Sequence, residues 1–381
     1  RLRDVGCAST EARLRSRSDP LGSTAREKAM PAGNSTVLLA SGAAALAAGA
    51  GIYYLWAKQK GCIIAKLQYQ SDAVPRSLLS NRKVYVDRAE TGADAPFQGT
   101  EFVPTPVRMQ NGREHPELNL DDNGVMFGRH ELEGMGIDFY DDDQIITRYY
   151  PEVAKLVKEA TGAKRVVCFD HNVRKTKTAH KGEERVKGGN MVQTPLQMVH
   201  GDYTVTSAPL RVKMLADKPK TNDTMARVLG NKSLIDPSEV EPLLKNRYQF
   251  INLWRPFADE PVEDQPLGVC DGSSVPLEDL VTFEVRYKDR TGENYFSRHS
   301  SSHKWFYWPR MNKNEVLFLK CWDTKGRDFL GVDLKTKERT APPPKDSVPA
   351  TFSLHTAFGD PTTRPDAPPR QSIEVRTIAF Y

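Results

Sequence analysis

The chain closes on Pro369-Arg370-Gln371-Ser372-Ile373-Glu374-Val375-Arg376-Thr377-Ile378-Ala379-Phe380. From residue 373 to 380, β-branched and apolar residues alternate with Glu374 and Arg376, which predicts a strand with one apolar face. It is the last of a series. Residues 248–254, 281–287, 305–308, 315–321 and 351–354 are likewise β-branched or aromatic and bounded by turn residues. Many strands at short spacing imply a sandwich or barrel, and a double-sheet jelly roll fits the count. The expected fold is mainly β, with flanking helices on a jelly-roll core.

Working back towards the N-terminus, Pro151 opens and Gly162 stops a helical pattern over 151–160. Residues 165–169 read as a buried strand, and 237–246 as a second helix capped by Asp236. Residues 175–190 read as a solvated Lys- and Gly-rich loop, and 331–349 as a charged, Pro-rich surface insertion. Further upstream, Ser35–Trp56 is uncharged, and about 22 such residues suffice to cross a bilayer. Tyr53, Tyr54 and Trp56 crowd its end, and Lys58 and Lys60 follow. A cleaved signal or transit peptide is the alternative. The expected organisation is a presequence or disordered N-terminus at 1–34, a transmembrane anchor at 35–57, an irregular extension at 58–145 and the jelly-roll domain at 146–381. Lys58, Lys60 and Lys66 favour a single-pass protein with a cytosolic catalytic domain, in an organelle membrane such as that of the endoplasmic reticulum or mitochondrion.

A length of 381 residues, 39% hydrophobic and 27% charged, is ordinary for a folded domain and excludes global disorder. The net charge of +5 forms no basic stripe with interleaved aromatics, so no nucleic-acid partner is expected. Cys7, Cys62, Cys168, Cys270 and Cys321 are scattered and contain no CxxC pair, against a disulfide framework or zinc-thiolate site.

The chemistry-bearing groups are two imidazoles, a carboxylate and a guanidinium beside a hydroxyl. His200-Gly201-Asp202 lies at an expected strand end, where positions i and i+2 share a face. An imidazole and a carboxylate so placed can hold adjacent positions on an octahedral iron, and His355 from a distant strand can complete the triad. The motif is weak alone, since His115-Pro116-Glu117 repeats it in a polar loop. His355, in an apolar run, could equally be a core histidine bonded to a backbone carbonyl. Arg370 and Ser372 follow at i and i+2 and suit the distal carboxylate of 2-oxoglutarate, with Arg376 as an alternative anchor. If Arg376 is no anchor, it pairs with an acid such as Glu374. Asn252 is a further candidate contact to cosubstrate or substrate.

Longer phrases carry a resemblance. Tyr149-Tyr150-Pro151-Glu152-Val153, Phe169-Asp170-His171, the run from Asn246 to Pro256, Cys270-Asp271, His303-Lys304-Trp305-Phe306-Tyr307, Leu319-Lys320-Cys321-Trp322-Asp323, His355-Thr356-Ala357-Phe358 and the run from Pro369 to Arg376 resemble the fungal hydroxylase/desaturase family. That family includes a gibberellin desaturase and the small partner chain of the bacterial cephem 7-methoxylase. The resemblance covers about residues 100–381. It implies an Fe(II)- and 2-oxoglutarate-dependent oxidoreductase on a double-stranded β-helix core. It further implies iron at His200, Asp202 and His355, and 2-oxoglutarate at Arg370 with Ser372. The expected substrate is a small, lipophilic metabolite. A protein partner, and a catalytically silent membrane-tethered assembly subunit on the same fold, stay open as the alternative.

Overall fold

The computed structural model describes residues 61–381, except 89–94, 133, 177–183 and 221–222. The expected presequence and anchor, 1–57, lie outside the described residues. Among the described residues no helix is long and apolar enough to cross a membrane. In chain order the strands are β1 (Cys62–Gln70), β2 (Tyr85–Asp87), β3 (Phe102–Asn111), β4 (Val125–Arg129), β5 (Arg165–Lys175), β6 (His200–Gly201) and β7 (Tyr248–Pro256). They continue as β8 (Leu267–Cys270), β9 (Leu280–Arg286), β10 (Thr291–Ser297), β11 (Trp305–Tyr307), β12 (Glu315–Asp323), β13 (His355–Ala357) and β14 (Gln371–Phe380). The main helices are α1 (Tyr150–Thr161), α2 (Ser207–Met214) and α3 (Val240–Lys245).

The strands form two sheets. One runs β1-β3-β11-β8-β13-β6-β10-β9-β2 and the other β4-β12-β7-β14-β5. Their facing sides share a core in which Phe250, Trp254, Leu319 and Cys321 of the smaller sheet meet Met109, Val269 and Trp305 of the larger. The outer side of the smaller sheet is apolar too. There Ile251, Leu253, Phe318, Ile373 and Val375 pack beneath Val153 and Val157 of α1. With both of its faces covered, β7 is buried along its whole length, and its apolar residues are interrupted only by Gln249, Asn252 and Arg255. Helix α1 begins with Pro151 in its first turn and ends at Gly162, which takes the left-handed conformation at φ 69°. Burying each of its two core valines contributes about 1.5–3 kcal/mol, so this amphipathic face secures the outer layer.

Several expectations are corrected. Residues 58–145, read as irregular, contain β1 and β3, which pair antiparallel from Cys62 opposite Gln110 to Gln70 opposite Phe102. Pro104 and Pro106 argue against a strand in β3, but they lie where it has β1 alone as a neighbour; β11 joins only at Met109–Asn111. The strand expected at 351–354 instead begins at His355. Leu354 and Ser353 bond outward, the Leu354 carbonyl accepting from Cys270 N and Ser353 N donating to the Lys320 carbonyl. The ladder proper starts where His355 meets His200 on one side and Val269 on the other. The helix expected at 237–246 divides into a 3-10 turn at Pro237–Glu239 followed by α3.

Candidate metal centre

His200 is in β6, a two-residue strand wedged between β13 and β10, and His355 opens β13 directly opposite it. This register sets the two rings 4.3 Å apart. Asp202 follows β6 immediately. Its Oδ1 lies 3.6 Å from Nε2 of His200 and 3.8 Å from Nε2 of His355. Ligand atoms of all three buried residues lie within 4.8 Å of one another. Adjacent ligands about 2 Å from one ion need a spacing of about 3 Å, so modest closure would bring all three onto a metal.

The protonation pattern suits a cation. Nδ1 of His200 donates to the Met198 carbonyl at 2.7 Å, which fixes the tautomer and leaves the Nε2 lone pair facing Asp202. Nδ1 of His355 turns towards the Ser353 backbone without reaching hydrogen-bond geometry. Burial, then the neighbouring His355, pushes His200 down to about 4; burial also lowers His355. Both imidazoles are therefore neutral at ordinary pH. Burial opposes the charge on Asp202, but the Arg376 guanidinium, with the Asn252 amide, outweighs it and holds the carboxyl well below its usual range. Two neutral imidazoles and one carboxylate, with the lone pairs turned together, fit a divalent ion such as iron(II).

A second layer aims the carboxylate. Asn252 Nδ2 donates to Asp202 Oδ2 at 2.7 Å, and Arg376 Nε approaches the same oxygen at 3.5 Å. One carboxylate oxygen is thereby engaged and the other faces the imidazoles. Asn252 also donates to Glu374 at 3.2 Å. Arg376 pairs with Asp170 at 2.7 Å and with Glu374 at 3.5 Å. Burial, then the charge of Asp202, raises the Glu374 carboxyl.

The other end of the cavity is cationic. Arg370 lines it beside the triad residues. Its Nε donates to Ser372 Oγ at 3.0 Å, as expected for side chains two residues apart on one strand face. All seven sequence candidates thus gather around one pocket, but in two layers. Arg376 and Asn252 lie against Asp202, whereas Arg370 and Ser372 are at the far end. Sequence reasoning did not identify Arg174, Glu374 and Trp254 as parts of the pocket, nor Asp170 as the partner of Arg376. A signal existed: Asp170, Asn172 and Arg174 alternate on β5 as Ser372, Glu374 and Arg376 do on β14. On β14, buried along most of its length, a polar face with period two needs polar partners or a cavity, and β5 pairs the same face beside it.

Other histidines, and Arg255 of β7, have other duties. His171 Nδ1 meets Tyr150 Oη at 2.9 Å, a satisfied core histidine. His303 Nδ1 accepts from Tyr69 Oη at 3.0 Å. Arg255 faces away from the pocket and bonds His130 and the Lys313 carbonyl. Cys62, Cys168, Cys270 and Cys321 are all buried.

Residues 78–380 match the family model described as oxidoreductase/YMDC permease-like domain. The Fe(II)/2-oxoglutarate-dependent dioxygenase nvfI of Aspergillus novofumigatus is 30% identical over 285 residues, spanning 73% of this chain and 84% of that protein. The hydroxylase/desaturase efuI of Hormonema carpetanum is 28% identical over 281 residues, spanning 70% of this chain and 79% of that protein. An uncharacterised protein of Methylophilus leisingeri is 32% identical over 205 residues, 53% of this chain and 94% of that protein. Among solved structures, the iron and alpha-ketoglutarate-dependent endoperoxidase NvfI superposes with a TM-score of 0.63 at 24% identity, covering 84% of this chain and 98% of that one.

Proposed function

Because this chain belongs to the oxidoreductase family whose members include Fe(II)/2-oxoglutarate-dependent dioxygenases and hydroxylase/desaturases, we propose that it hydroxylates or desaturates a small organic molecule. The observation that carries this reading is the convergence of His200, Asp202 and His355 with their lone pairs turned inward. Iron(II) and 2-oxoglutarate, when bound, supply with dioxygen the oxidising equivalents for breaking a C–H bond, leaving succinate and carbon dioxide.

The residues have distinct tasks. His200, Asp202 and His355 would hold the iron, supplying two imidazole nitrogens and a carboxylate oxygen. Arg370, with Ser372 beside it, receives the distal carboxylate of 2-oxoglutarate through charge-assisted hydrogen bonds. Asn252 and Arg376 keep Asp202 oriented and ionised. Leu196, Trp254 and Leu267 give the pocket wall an apolar part that can orient a hydrocarbon substrate and exclude water.

The test is an anaerobic titration with iron(II) and 2-oxoglutarate, following the weak visible charge-transfer band of the chelate. The expected result is a saturable band in the wild type and none in His200→Ala. No band in the wild type, or an unchanged band in the variant, rejects the reading. We further assign the substrate to lipophilic metabolites, presented to a cytosolic domain tethered through residues 35–57. The support is the uncharged run with its flanking lysines. Protection of the domain from protease in sealed microsomes would contradict the cytosolic placement.

A further inference from the structure

The three guanidiniums lining the pocket are not equivalent. Arg376 is matched by Asp170, Asp202 and Glu374. Arg370 and Arg174, by contrast, form no ion pair with any described residue. Arg370 donates to Ser372 Oγ and to the Gln265 carbonyl at 2.5 Å, and lies over the Trp254 ring at 5.1 Å. Arg174 donates one bond, from Nη1 to the Thr194 carbonyl at 2.9 Å.

Strand register explains how they meet. In the antiparallel ladder of β5 and β14, Arg174 is directly opposite Ser372. Residues opposite one another share a sheet face, and Arg370 shares it at two residues from Ser372. Arg174, Ser372 and Arg370 therefore converge from two strands, and both arginines line the same cavity as His200 and Asp202. Burial, then the Arg174 charge, pushes the Arg370 guanidinium down to about 9, an effect that Glu374 and Asp264 offset only in part. Two adjacent guanidiniums in a largely buried pocket are unfavourable until an anion arrives between them.

We propose that Arg174 is a second contact for the distal carboxylate of 2-oxoglutarate, forming with Arg370 and Ser372 a seat with two guanidiniums. This rests on the reading of the pocket as an Fe(II)/2-oxoglutarate site. A carboxylate offers two oxygens and about four lone-pair sites, more than Arg370 alone can fill with two of its donors already engaged. The Arg174 fork approaches from the neighbouring strand and reaches the remaining sites. An anionic group on the substrate is the competing occupant of Arg174.

The two are separated with the full chain under anaerobic conditions, titrating iron(II)-loaded protein with 2-oxoglutarate and with 2-oxopentanoate, which keeps the oxo acid but lacks the distal carboxylate. The charge-transfer band is the readout for both. The proposal expects Arg174→Leu to raise the Kd for 2-oxoglutarate at least tenfold and leave that for 2-oxopentanoate within twofold of wild type. Arg174→Lys, which keeps the charge and loses the fork, should fall between the two. It also serves as the test variant if the leucine variant does not fold. A 2-oxoglutarate Kd within twofold of wild type in these variants, while Arg370→Leu weakens it, overturns the proposal and leaves Arg174 to the substrate. Equal weakening of both oxo acids also overturns it, because the effect is then not on the distal carboxylate. Absence of the band in the wild type fails the site reading itself.

Discussion

His200-Gly201-Asp202 and His115-Pro116-Glu117 have the same spacing of imidazole and carboxylate, and the folded chain uses them in opposite ways. At the outer pair, Nδ1 of His115 lies 2.8 Å from Glu117 Oε1, so the two side chains satisfy each other beside solvent. At the inner pair, His200 gives its Nδ1 proton to a backbone carbonyl, and Asp202 gives one oxygen to Asn252 and Arg376. Their outer atoms are engaged by other groups, and the His200 Nε2 lone pair and Asp202 Oδ1, 3.6 Å apart, stay available to a shared cation. A ligand pair is made by the groups that orient it more than by its spacing.

The largest expected effect comes from removing the group that keeps Asp202 charged. Arg376→Leu leaves Asp170, Asp202 and Glu374 without their shared cation. Unpairing a buried charge costs about 3–5 kcal/mol, to be read as a lowered urea midpoint of the metal-free protein. Arg376→Lys should recover part of the loss. A change below about 1 kcal/mol would break the comparison, because Asp202 would then not depend on its surroundings.

A third histidine sharpens the contrast by separating burial from function. His303 is pushed down to about 4 by burial, then by His299, just as His200 is lowered by its own surroundings, yet its Nδ1 accepts from Tyr69 and it holds no metal position. The unfolded chain takes up this proton near pH 6.5, whereas the folded chain does not until about pH 4. Between those values the unfolded state binds more protons, so stability falls as pH falls. The span corresponds to at most about 3 kcal/mol. His303→Gln should flatten the acid side of the stability profile by up to that amount while iron titration at pH 7 stays unchanged. A profile with unaltered slope would show that some other group governs it.

Asn252 tests the orienting layer at smaller cost. Its amide bridges Asp202 and Glu374 without itself being a candidate ligand. Asn252→Ala should weaken iron(II) binding about 10–100-fold by anaerobic calorimetry. Unchanged affinity would mean that backbone position alone aims Asp202.

These contrasts also explain what the sequence could reveal. The alternation over 373–380 and the aromatic and β-branched run 248–254 made the smaller sheet legible, since strand faces are written directly into such patterns. His200, His355 and Arg370 were recognisable as a set of residue types. Their convergence was not, because it depends on β6 entering between β13 and β10, a pairing of residues 155 positions apart. β6 spans only two residues and carries no periodicity. Arg174 was hidden differently: its place comes from facing Ser372 across a ladder, and residue 174 alone reads as one more cation just before the basic stretch 175–190. The prolines of β3 concealed a strand whose neighbours, not its composition, hold it.

The smallest expected effect is the one the comparison needs most. His115→Ala removes an imidazole with the same sequence relation to its acid as His200, and His115 also packs its edge on Phe306 with ring centres 5.0 Å apart. Glu117 is exposed, so losing the pair costs little in a solvent that screens it. The variant should show the wild-type charge-transfer band and the wild-type Kd for iron(II) and 2-oxoglutarate. His200→Ala, changing the same residue type at the same spacing from an acid, should abolish the band. If His115→Ala instead weakened iron binding, spacing would carry the site after all, and the orienting role given to Met198, Asn252 and Arg376 would lose its basis.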